Sequence, residues 1–345
     1  MNNNLIPESI KNFSKMLNDG VILTNIEGTV ILANSNAKDF LGKNILNQKI
    51  SEVLKVKEIK NFNKVFKNES ESKKFYYQTN DQLKRSLVVK IKKINKSLFL
   101  ILLLDMTLQR NLEKVRRDFV ANVSHELKSP LTSLVGFIET LLSGDVDDEV
   151  TRSKFLKIMD EETKRMNRLI DDILSLSRVE TEEHISPSTS ISILDPINSV
   201  IKSIKERNLI KSNKIILKDL RFKNNIPCLI IGNFDEITQV FTNLIENAIK
   251  YGYEDTEIIV KLEELNDKEI IISVINYGEG IPQKYIDRLT ERFFRVDKAR
   301  SRKIGGTGLG LAIVKHIIIR HRATMSIESE LNNQTIFSLN FPVIQ

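Results

Sequence analysis

The sequence predicts a multidomain α+β protein, in which an α+β domain, a helical hairpin and an α/β sandwich follow one another. The first observation is the length of 345 residues, which exceeds that of a typical single domain. The second is a change near residue 108 from strand-like to helical spacing of apolar residues. The third is the stretch HISPSTSISILDP, which begins at residue 184, lacks periodicity and is predicted to be a linker. We expect domains at 9–107, 108–185 and 190–345.

The first domain is predicted to contain an antiparallel sheet with a few helices. The segment GVILTNIEGTVILAN holds two β-branched runs separated by Glu27 and Gly28, which is typical of a hairpin. Further strands are expected at KKFYYQT, LKRSLVVKIKKI and SLFLILLLD, and helical spacing occupies 50–66.

The second domain is predicted to be an antiparallel helical hairpin. Apolar residues recur every three or four positions from Leu108 to Leu141, and again from Phe155 to Leu176. The stretch SGDVDDE, with Gly144, separates the two stripes. Because one hairpin buries such stripes poorly, we expect two copies to form a dimeric four-helix bundle and the protein to be a homodimer.

The third domain is predicted to be an α/β sandwich with one helical layer. Helical patterns lie near 195–207, 235–251 and 309–320. Strand patterns alternate with them at KIILKDL, EIIVKLEEL, EIIISVI, TMSIES and TIFSLNF.

Composition excludes several classes of protein. The single cysteine, Cys228, rules out an internal disulfide framework and has no partners for a zinc site. Apolar runs such as Leu98–Leu104 are shorter than a transmembrane segment, and no signal peptide is evident, so we expect a cytoplasmic protein that reaches the inner membrane only through a partner. The net charge of +7 is dispersed among acidic residues, and we expect no direct contact with nucleic acid.

A histidine on the first helix of the hairpin is the leading catalytic candidate. At about 100° per residue, His125 lies roughly opposite the apolar stripe and should be exposed. A neutral imidazole is a competent nucleophile near neutral pH, Glu126 is adjacent, and Ser129 lies one turn later on the same face. Taken alone, this pattern is better explained by an ordinary surface histidine beside an acid. His184, His316 and His321 have no matching partners and are predicted to be linker or helix-end residues.

The surrounding string FVANVSHELKSPLTSLVGF resembles the H box of sensor histidine kinases. The resemblance implies that His125 is the phosphoacceptor and Glu126 the base. In the family, the position of Ser129 is often Thr and helps to place the water that dephosphorylates the partner. Serine keeps the hydroxyl but lacks the methyl group that restricts its rotamer, so a weaker phosphatase activity is expected.

The segment QVFTNLIENAIKYG predicts a helix that presents Asn243 and Asn247 on one face. Amide oxygens suit a largely hydrated Mg²⁺, and Lys250 can place a charge near phosphates. The alternative is a helix surface with solvated polar residues. The string resembles the N box of the ATP-binding fold shared by histidine kinases, gyrase and Hsp90-type ATPases, which implies Asn247 as metal ligand and Lys250 and Tyr251 as nucleotide contacts.

The same resemblance separates kinases from hydrolytic members of the superfamily. The hydrolytic members carry a glutamate four residues before the metal-binding asparagine, where this chain has Asn243. Without a base that activates water, transfer of the phosphoryl group to a protein side chain is favoured over hydrolysis.

The turn NYGEGIP resembles the G1 box, in which glycines let the backbone approach adenine closely. This implies that Gly278 and Gly280 bind the nucleotide. The family's usual aspartate is Asn276 here, which can still accept a hydrogen bond from the adenine amine but without the strength that a charge adds.

The stretch GGTGLGLAIVKH contains glycines immediately before a helix, an arrangement that favours phosphate. The basic residues before it, among them Arg302, suit a lid over the nucleotide. The alternatives are a flexible loop and a solvated basic run. The resemblance to the family implies these nucleotide contacts: Gly306, Thr307, Gly308, Leu309 and Gly310.

Four motifs in the family's order identify the chain as resembling sensor histidine kinases of two-component systems. ATP and Mg²⁺ are the implied cofactors, and the receiver domain of a response regulator is the implied partner. The strings ERFFRVDKARSR and GGTGLGLAIVKHI resemble the phosphate-regulon sensor kinases, which implies phosphate-starvation signalling and a membrane transporter or adaptor that relays the signal.

The segment GVILTNIEGTVILANSNAKDFLG resembles a PAS domain, and DMTLQ resembles its exit into a signalling helix. This first third contains neither cysteine nor histidine, so cysteinyl-flavin chemistry and a histidine-bound haem are not expected.

Two other functions stay open at this point. The first is a dimeric scaffold or phosphatase in which Asn276 has weakened ATP binding. The second is an ATPase that drives a conformational change, against which Asn243 and the helical hairpin both argue.

Overall fold

The computed structural model describes residues 8–54, 72–80, 83–95, 97–144, 146, 148–207, 214–221, 228–266, 268–297 and 306–344. Two compact units, Met1–Val120 and Ala121–Gln345, divide the chain. Arg302 of the predicted lid, Gly305 and most of the helical pattern at 50–66 lie outside the described residues.

The first unit contains a five-stranded antiparallel sheet with the order β2-β1-β5-β4-β3. The strands coincide with the apolar runs that predicted them, and Gly28 turns the chain between β1 and β2 with a φ of 81°. The elements are α1 Glu8–Met16, β1 Gly20–Asn25, β2 Val30–Ala33, α2 Ser35–Leu41, α3 Ile50–Val53, β3 Ser72–Gln78, β4 Ser86–Lys93 and β5 Leu98–Asp105.

One buried asparagine ties the helices of this unit to its sheet. The Asn34 side chain caps α2 by accepting from the Ala37 N–H, and it also accepts from the Val21 N–H, both at 2.9 Å. Its amide nitrogen donates to the Ser14 carbonyl at 2.8 Å. Because all these polar groups are satisfied internally, Asn34 fixes the α1–β1 turn at little cost in desolvation.

The sheet continues directly into the long helix α4, Thr107–Leu142. The Thr107 N–H donates to the Asp105 carboxylate at 2.9 Å, and the Thr107 hydroxyl accepts from the Ser86 N–H at 2.9 Å. One turn later, Arg110 stacks over the ring of Tyr76 on β3, 4.4 Å from the ring centroid. The start of α4 is therefore attached to two strands of the sheet.

The second unit begins with a helical hairpin, formed by the rest of α4 and by α5, Glu149–Glu182. Asp148 caps α5 by accepting from the Thr151 N–H at 2.6 Å, and these hydrogen bonds lower the pKa of its carboxyl. The rings of Phe137 and Phe155 pack across the hairpin with centroids 5.0 Å apart. The predicted hairpin is thus present.

Much of the apolar stripe on α4 is exposed in the single chain. Leu131, Val135 and Ile138 expose between 43% and 53% of their surface. Three neighbouring apolar residues left open on one helix face are unusual for a helix that packs only within its own chain.

The rest of the second unit is the predicted α/β sandwich. Its main sheet has the order β11-β12-β10-β9-β7, with β7 parallel to β9 and the other pairs antiparallel. The elements are β6 Ser190–Ser192, α6 Leu194–Glu206, β7 Lys214–Asp219, β8 Leu229–Ile231, α7 Phe234–Tyr251, β9 Glu257–Asn266, β10 Glu269–Tyr277, α8 Gln283–Ile286, α9 Gly310–Arg320, β11 Thr324–Ser329 and β12 Gln334–Pro342. Helix α7 packs on β9 and β10 and contacts both α6 and α9.

The prediction of a linker at HISPSTSISILDP is wrong over its second half. Strand β6 pairs there with β8, and α6 begins at Leu194. Ile193 is fully buried, and its N–H donates to the Cys228 carbonyl at 3.0 Å. Both strands have only three residues, too few for an alternating pattern to stand out against the flanking serines.

Within the described residues, no helix combines the length and the apolar character needed to cross a membrane.

Candidate functional site

His125 lies on α4 with its side chain exposed, as its position opposite the apolar stripe predicted. Ser129 is also exposed one turn later. The adjacent Glu126 carboxylate accepts a hydrogen bond from Arg165 of α5 at 3.0 Å, so in this arrangement it braces the hairpin instead of orienting the imidazole. The ring of His125 is therefore accessible to a reactant from outside the helix pair.

Helix α7 carries the predicted metal and phosphate residues in its second half. Its start is capped by Asn233, whose side-chain oxygen accepts from the Asp235 and Glu236 N–H groups. Asn243 and Asn247 are both half-buried on the helix. Lys250 pairs with Glu246 at 3.0 Å, so its charge is partly neutralised in this arrangement.

Tyr251, which ends α7, is 41% exposed. The chain then bridges Gly252 to Gly278, so that the end of α7 and the end of β10 meet through their backbones. A Cβ at Gly278 would overlap the carbonyl oxygen of Tyr251. Glycine is needed here for the close approach of the backbone to the end of α7, and the approach of Gly278 to adenine stays a prediction.

Gly280 follows with a φ of +74°, and a Cβ there would overlap the carbonyl oxygen of Glu330. Asn276, at the end of β10, is only 5% exposed. The amide of Asn276 is thus a nearly buried polar group beside a turn built from backbone, which suits recognition of a planar base.

The glycine-rich stretch leads directly into α9. Gly308 has a φ of +75°, and its carbonyl accepts from the Phe293 N–H at 2.8 Å. A Cβ at Gly310 would lie 2.7 Å from the side-chain oxygen of Asn243, so the start of α9 touches the N-box helix. A Cβ at Gly306 would lie 3.8 Å from the Tyr251 hydroxyl and 3.8 Å from a guanidinium nitrogen of Arg295.

Arg295 is a further residue of this site that the sequence did not predict. It follows the two phenylalanines of RFFRVD and precedes the basic run of the predicted lid. In the structure its side chain lies along Gly306 and Gly308. This arginine adds a planar cation next to the predicted phosphate cradle.

Helix α5 packs against this site, which the sequence did not predict. The Thr307 hydroxyl donates to the Asp172 carboxylate at 2.6 Å, and burial raises the pKa of Asp172. One turn further, the Ser175 hydroxyl donates to the side-chain oxygen of Gln239 on α7 at 2.9 Å.

The end of α5 is fixed to the sandwich by ion pairs. Glu180 pairs with Arg292 at 2.6 Å and lies 3.3 Å from a ring nitrogen of His316, whose other nitrogen contacts Glu183. The sequence predicted that His316 is a helix-end residue without a functional partner. The structure instead places it between two carboxylates at the junction of α5 and α9.

Arg320 is the centre of a second group of contacts at this junction. Its guanidinium contacts Glu236 of α7, pairs with Glu182 of α5 at 3.0 Å, and donates to the Ile185 carbonyl at 2.9 Å. Burial raises the pKa of Glu236, and the arginine opposes that shift. One buried cation on α9 thus joins this helix to α7 and to the end of α5.

His321, the next residue, is buried inside the sandwich. One ring nitrogen donates to the Ile317 carbonyl at 2.8 Å, and the other accepts from the Asn233 N–H at 3.0 Å. Burial lowers its pKa. It is therefore a neutral structural residue at the end of α9, in agreement with the prediction of a helix-end residue.

The predicted nucleotide residues that the structure describes converge around the ends of α7 and β10 and the start of α9. Neutral amides, a lysine, an arginine and backbone N–H groups at a helix start form a donor set that fits a phosphate chain carrying a hydrated divalent cation. Asn243 and Asn247 would hold the cation. The residues present therefore fit Mg·ATP.

Comparisons with known proteins agree with this arrangement. Residues 115–182 match the His Kinase A (phospho-acceptor) domain. Residues 232–345 match the family described as histidine kinase-, DNA gyrase B-, and HSP90-like ATPase.

Whole-chain relatives are sensor kinases. WalK of Staphylococcus aureus is 35% identical over 339 residues, which cover 94% of this chain and 79% of that protein. WalK of Bacillus subtilis is 31% identical over 343 residues, which cover 94% of this chain and 54% of that protein. The chain spans about half the length of several of the curated relatives it matches.

Two solved structures share the fold. The histidine kinase ThkA, solved in complex with the response regulator protein TrrA, matches 98% of this chain with a TM-score of 0.50 and 21% identity, and 99% of the ThkA chain is covered. Histidine kinase AdeS of Acinetobacter baumannii matches 64% of this chain and 98% of its own, with a TM-score of 0.50 and 23% identity. The family matches and the whole-chain relatives together show that the chain belongs to the sensor histidine kinases of two-component systems.

Proposed function

We propose that this protein is a protein-histidine kinase that phosphorylates itself on His125 and passes the phosphoryl group to an aspartate of a response regulator. An imidazole nitrogen of His125 attacks the γ-phosphorus of ATP, the new N–P bond forms, and the bond to the bridging oxygen of ADP breaks. The proton lost from the ring passes to a base, the role that the family assigns to Glu126. The exposed ring of His125 on α4 carries the proposal, because an in-line attack needs an accessible nucleophile.

The second unit supplies the nucleotide site. Asn276, Gly278 and Gly280 form the base pocket. Asn243 and Asn247 would hold a hydrated Mg²⁺, whose charge would offset that of the phosphates. The remaining nucleotide contacts are proposed for Lys250, Tyr251, Arg295, Gly306, Thr307, Gly308, Leu309 and Gly310. Arg302, outside the described residues, is proposed as part of the lid.

Incubation of the full chain with ATP labelled on the γ-phosphate tests this function. We expect label that is lost in acid and kept in base, which is the behaviour of phosphohistidine, and no label from ATP marked on the α-phosphate. Steady release of inorganic phosphate without labelled protein would favour the conformational ATPase instead.

Replacing Asn276 by aspartate is expected to tighten ATP binding by about tenfold, since a carboxylate accepts from the adenine amine about twice as strongly as a neutral amide oxygen. Calorimetry that measures the affinity of ATP for the wild-type protein and for Asn276→Asp checks this. Equal affinities would show that Asn276 does not contact the base, and no binding by wild type together with binding by the variant would favour the scaffold or phosphatase alternative.

The receiver domain of a response regulator is the proposed partner, and the complex of ThkA with the response regulator protein TrrA supports it. Ser129→Ala is expected to slow dephosphorylation of that partner several-fold while autophosphorylation stays unchanged, because the exposed Ser129 hydroxyl lies one turn from His125 and can hold a water. Single-turnover assays of both reactions measure this. Unchanged rates in both assays would remove Ser129 from the phosphatase reaction.

A homodimer is proposed because Leu131, Val135 and Ile138 leave an apolar face on α4 that a second copy can cover.

A PAS fold is proposed for the first unit, and its strand order β2-β1-β5-β4-β3 together with the Thr107 exit supports it. The domain limits 9–107, 108–185 and 190–345 and the cytoplasmic location stay predictions.

The phosphate-starvation role and the transporter or adaptor partner rested on motif resemblance alone. Relatives named WalK lend them no support, and neither forms part of the proposed function.

A further inference from the structure

A carboxylate of α5 lies against the start of α9, where the phosphate cradle is proposed. Asp172 accepts a hydrogen bond from the Thr307 hydroxyl at 2.6 Å. The same hydroxyl accepts from the Leu309 N–H at 3.3 Å, so it belongs to the turn that opens α9. Asp172 is thus one side chain away from the backbone N–H groups and the positive dipole end that attract a phosphate.

The electrostatic surroundings of Asp172 are those of the nucleotide site. Burial is the main cause of its raised pKa, Lys250 acts in the opposite direction, and Glu246 and Asp171 add to the rise. Lys250 is the cation assigned to the phosphates. Asp172 therefore shares its local field with a group that the nucleotide would use.

Helix α5 is held in this position by contacts that follow Asp172 along the helix. Ser175, one turn after Asp172, hydrogen-bonds to Gln239 of α7 at 2.9 Å. Glu180, about two turns after Asp172, pairs with Arg292 at 2.6 Å. A carboxylate fixed by neighbouring contacts competes better than a mobile one, because less conformational entropy is lost when it binds.

We propose that Asp172 is an intramolecular competitor of the terminal phosphate of ATP. The carboxylate and the phosphate are both anions that would bind at Thr307, the start of α9 and Lys250, and they cannot occupy the same place. The arrangement in which Asp172 is hydrogen-bonded to Thr307 is then a resting state of low ATP affinity. Binding of the triphosphate expels Asp172 and releases this stretch of α5 from the sandwich. The inference rests on the proposed function.

The test compares the affinities of ATP and ADP for the full-length wild type, Asp172→Asn and the control Asp171→Asn. Both substitutions remove one negative charge from adjacent positions, but Asp171 is exposed on α5. Asparagine keeps the size of the side chain, so folding should be preserved, and circular dichroism verifies this. We expect Asp172→Asn to bind ATP about tenfold more tightly than wild type, to gain less for ADP, which lacks the terminal phosphate, and Asp171→Asn to match wild type.

Each other result overturns a defined part of the account. Unchanged or weaker ATP binding by Asp172→Asn, while wild type binds ATP, overturns the competition and leaves the proposed function intact. An equal gain in Asp172→Asn and Asp171→Asn reduces the effect to net charge and also overturns it. Absence of ATP binding in all three proteins overturns the proposed function itself, and the competition with it.

Discussion

Substitution of His125 by glutamine is expected to abolish incorporation of label from γ-labelled ATP, because glutamine has no nucleophilic nitrogen comparable to imidazole. The side chain is exposed and packs against little, so the helix should be unaffected. Binding of ATP should also be retained, since the residues proposed to hold it belong to α7, β10 and the start of α9. Phosphorylation assays and calorimetry on the same preparation separate the two effects.

The matched control is His184→Gln. His184 is likewise an exposed histidine, but it lies beyond the end of α5. We expect this variant to be labelled at the wild-type rate. Label that persists in His125→Gln and disappears in His184→Gln would move the phosphoacceptor to the junction between α5 and α6.

Arg320→Met is expected to destabilise the second unit by about 3–5 kcal/mol, because it leaves a buried carboxylate without its cation. Arg320 and Glu236 are each 8% exposed, and the arginine also holds Glu182 and the Ile185 carbonyl. The exposed Arg178, which pairs with the same Glu182 at 3.7 Å, is the control. Arg178→Met should cost less than about 1 kcal/mol. Urea unfolding followed by circular dichroism gives both values.

The loss in Arg320→Met should depend on pH with a defined sign. Burial already raises the pKa of Glu236 from its ordinary value of 4.5, and removal of Arg320 takes away the main opposing influence. Below the ordinary pKa, Glu236 is neutral in both the folded and the unfolded protein, so no unpaired charge is buried. As the pH rises above the ordinary pKa, the carboxyl ionises in the unfolded protein before it does in the folded protein, so the cost grows until the pH passes the folded-state pKa. The difference from wild type should therefore be larger at pH 7 than at pH 4. A difference independent of pH would place the cost in lost packing of Arg320 instead.

The sequence predicted the elements whose residues repeat over several turns or strand lengths. Helices α4 and α5 carry long apolar stripes, and β9, β10 and β12 are runs of seven or more alternating or continuous apolar residues. Strands β6 and β8 escaped prediction because three residues carry no period. What specifies them is the burial of Ile193 and Ile230, which depends on residues distant in the chain.

The candidate site divides in the same way. Residues within one motif, such as Asn243 and Asn247, could be placed from their spacing on a helix. The contacts of Asp172 with Thr307 and of Arg320 with Glu182 join residues that are more than 130 positions apart, and no local pattern marks them. Glu126 shows the limit most clearly. Its neighbour in sequence is His125, yet its carboxylate pairs with Arg165 on the other helix of the hairpin.

The most direct measurement of the central claim locates the phosphoryl group after incubation with ATP. Trypsin is expected to release residues 118–128 as DFVANVSHELK, and His184, His316 and His321 fall in other peptides. Mass spectrometry under neutral conditions, which preserve phosphohistidine, should find the modification on the 118–128 peptide. Phosphate on any other histidine, or on no peptide while ATP is consumed, would contradict the assignment of α4 as the phosphoacceptor helix.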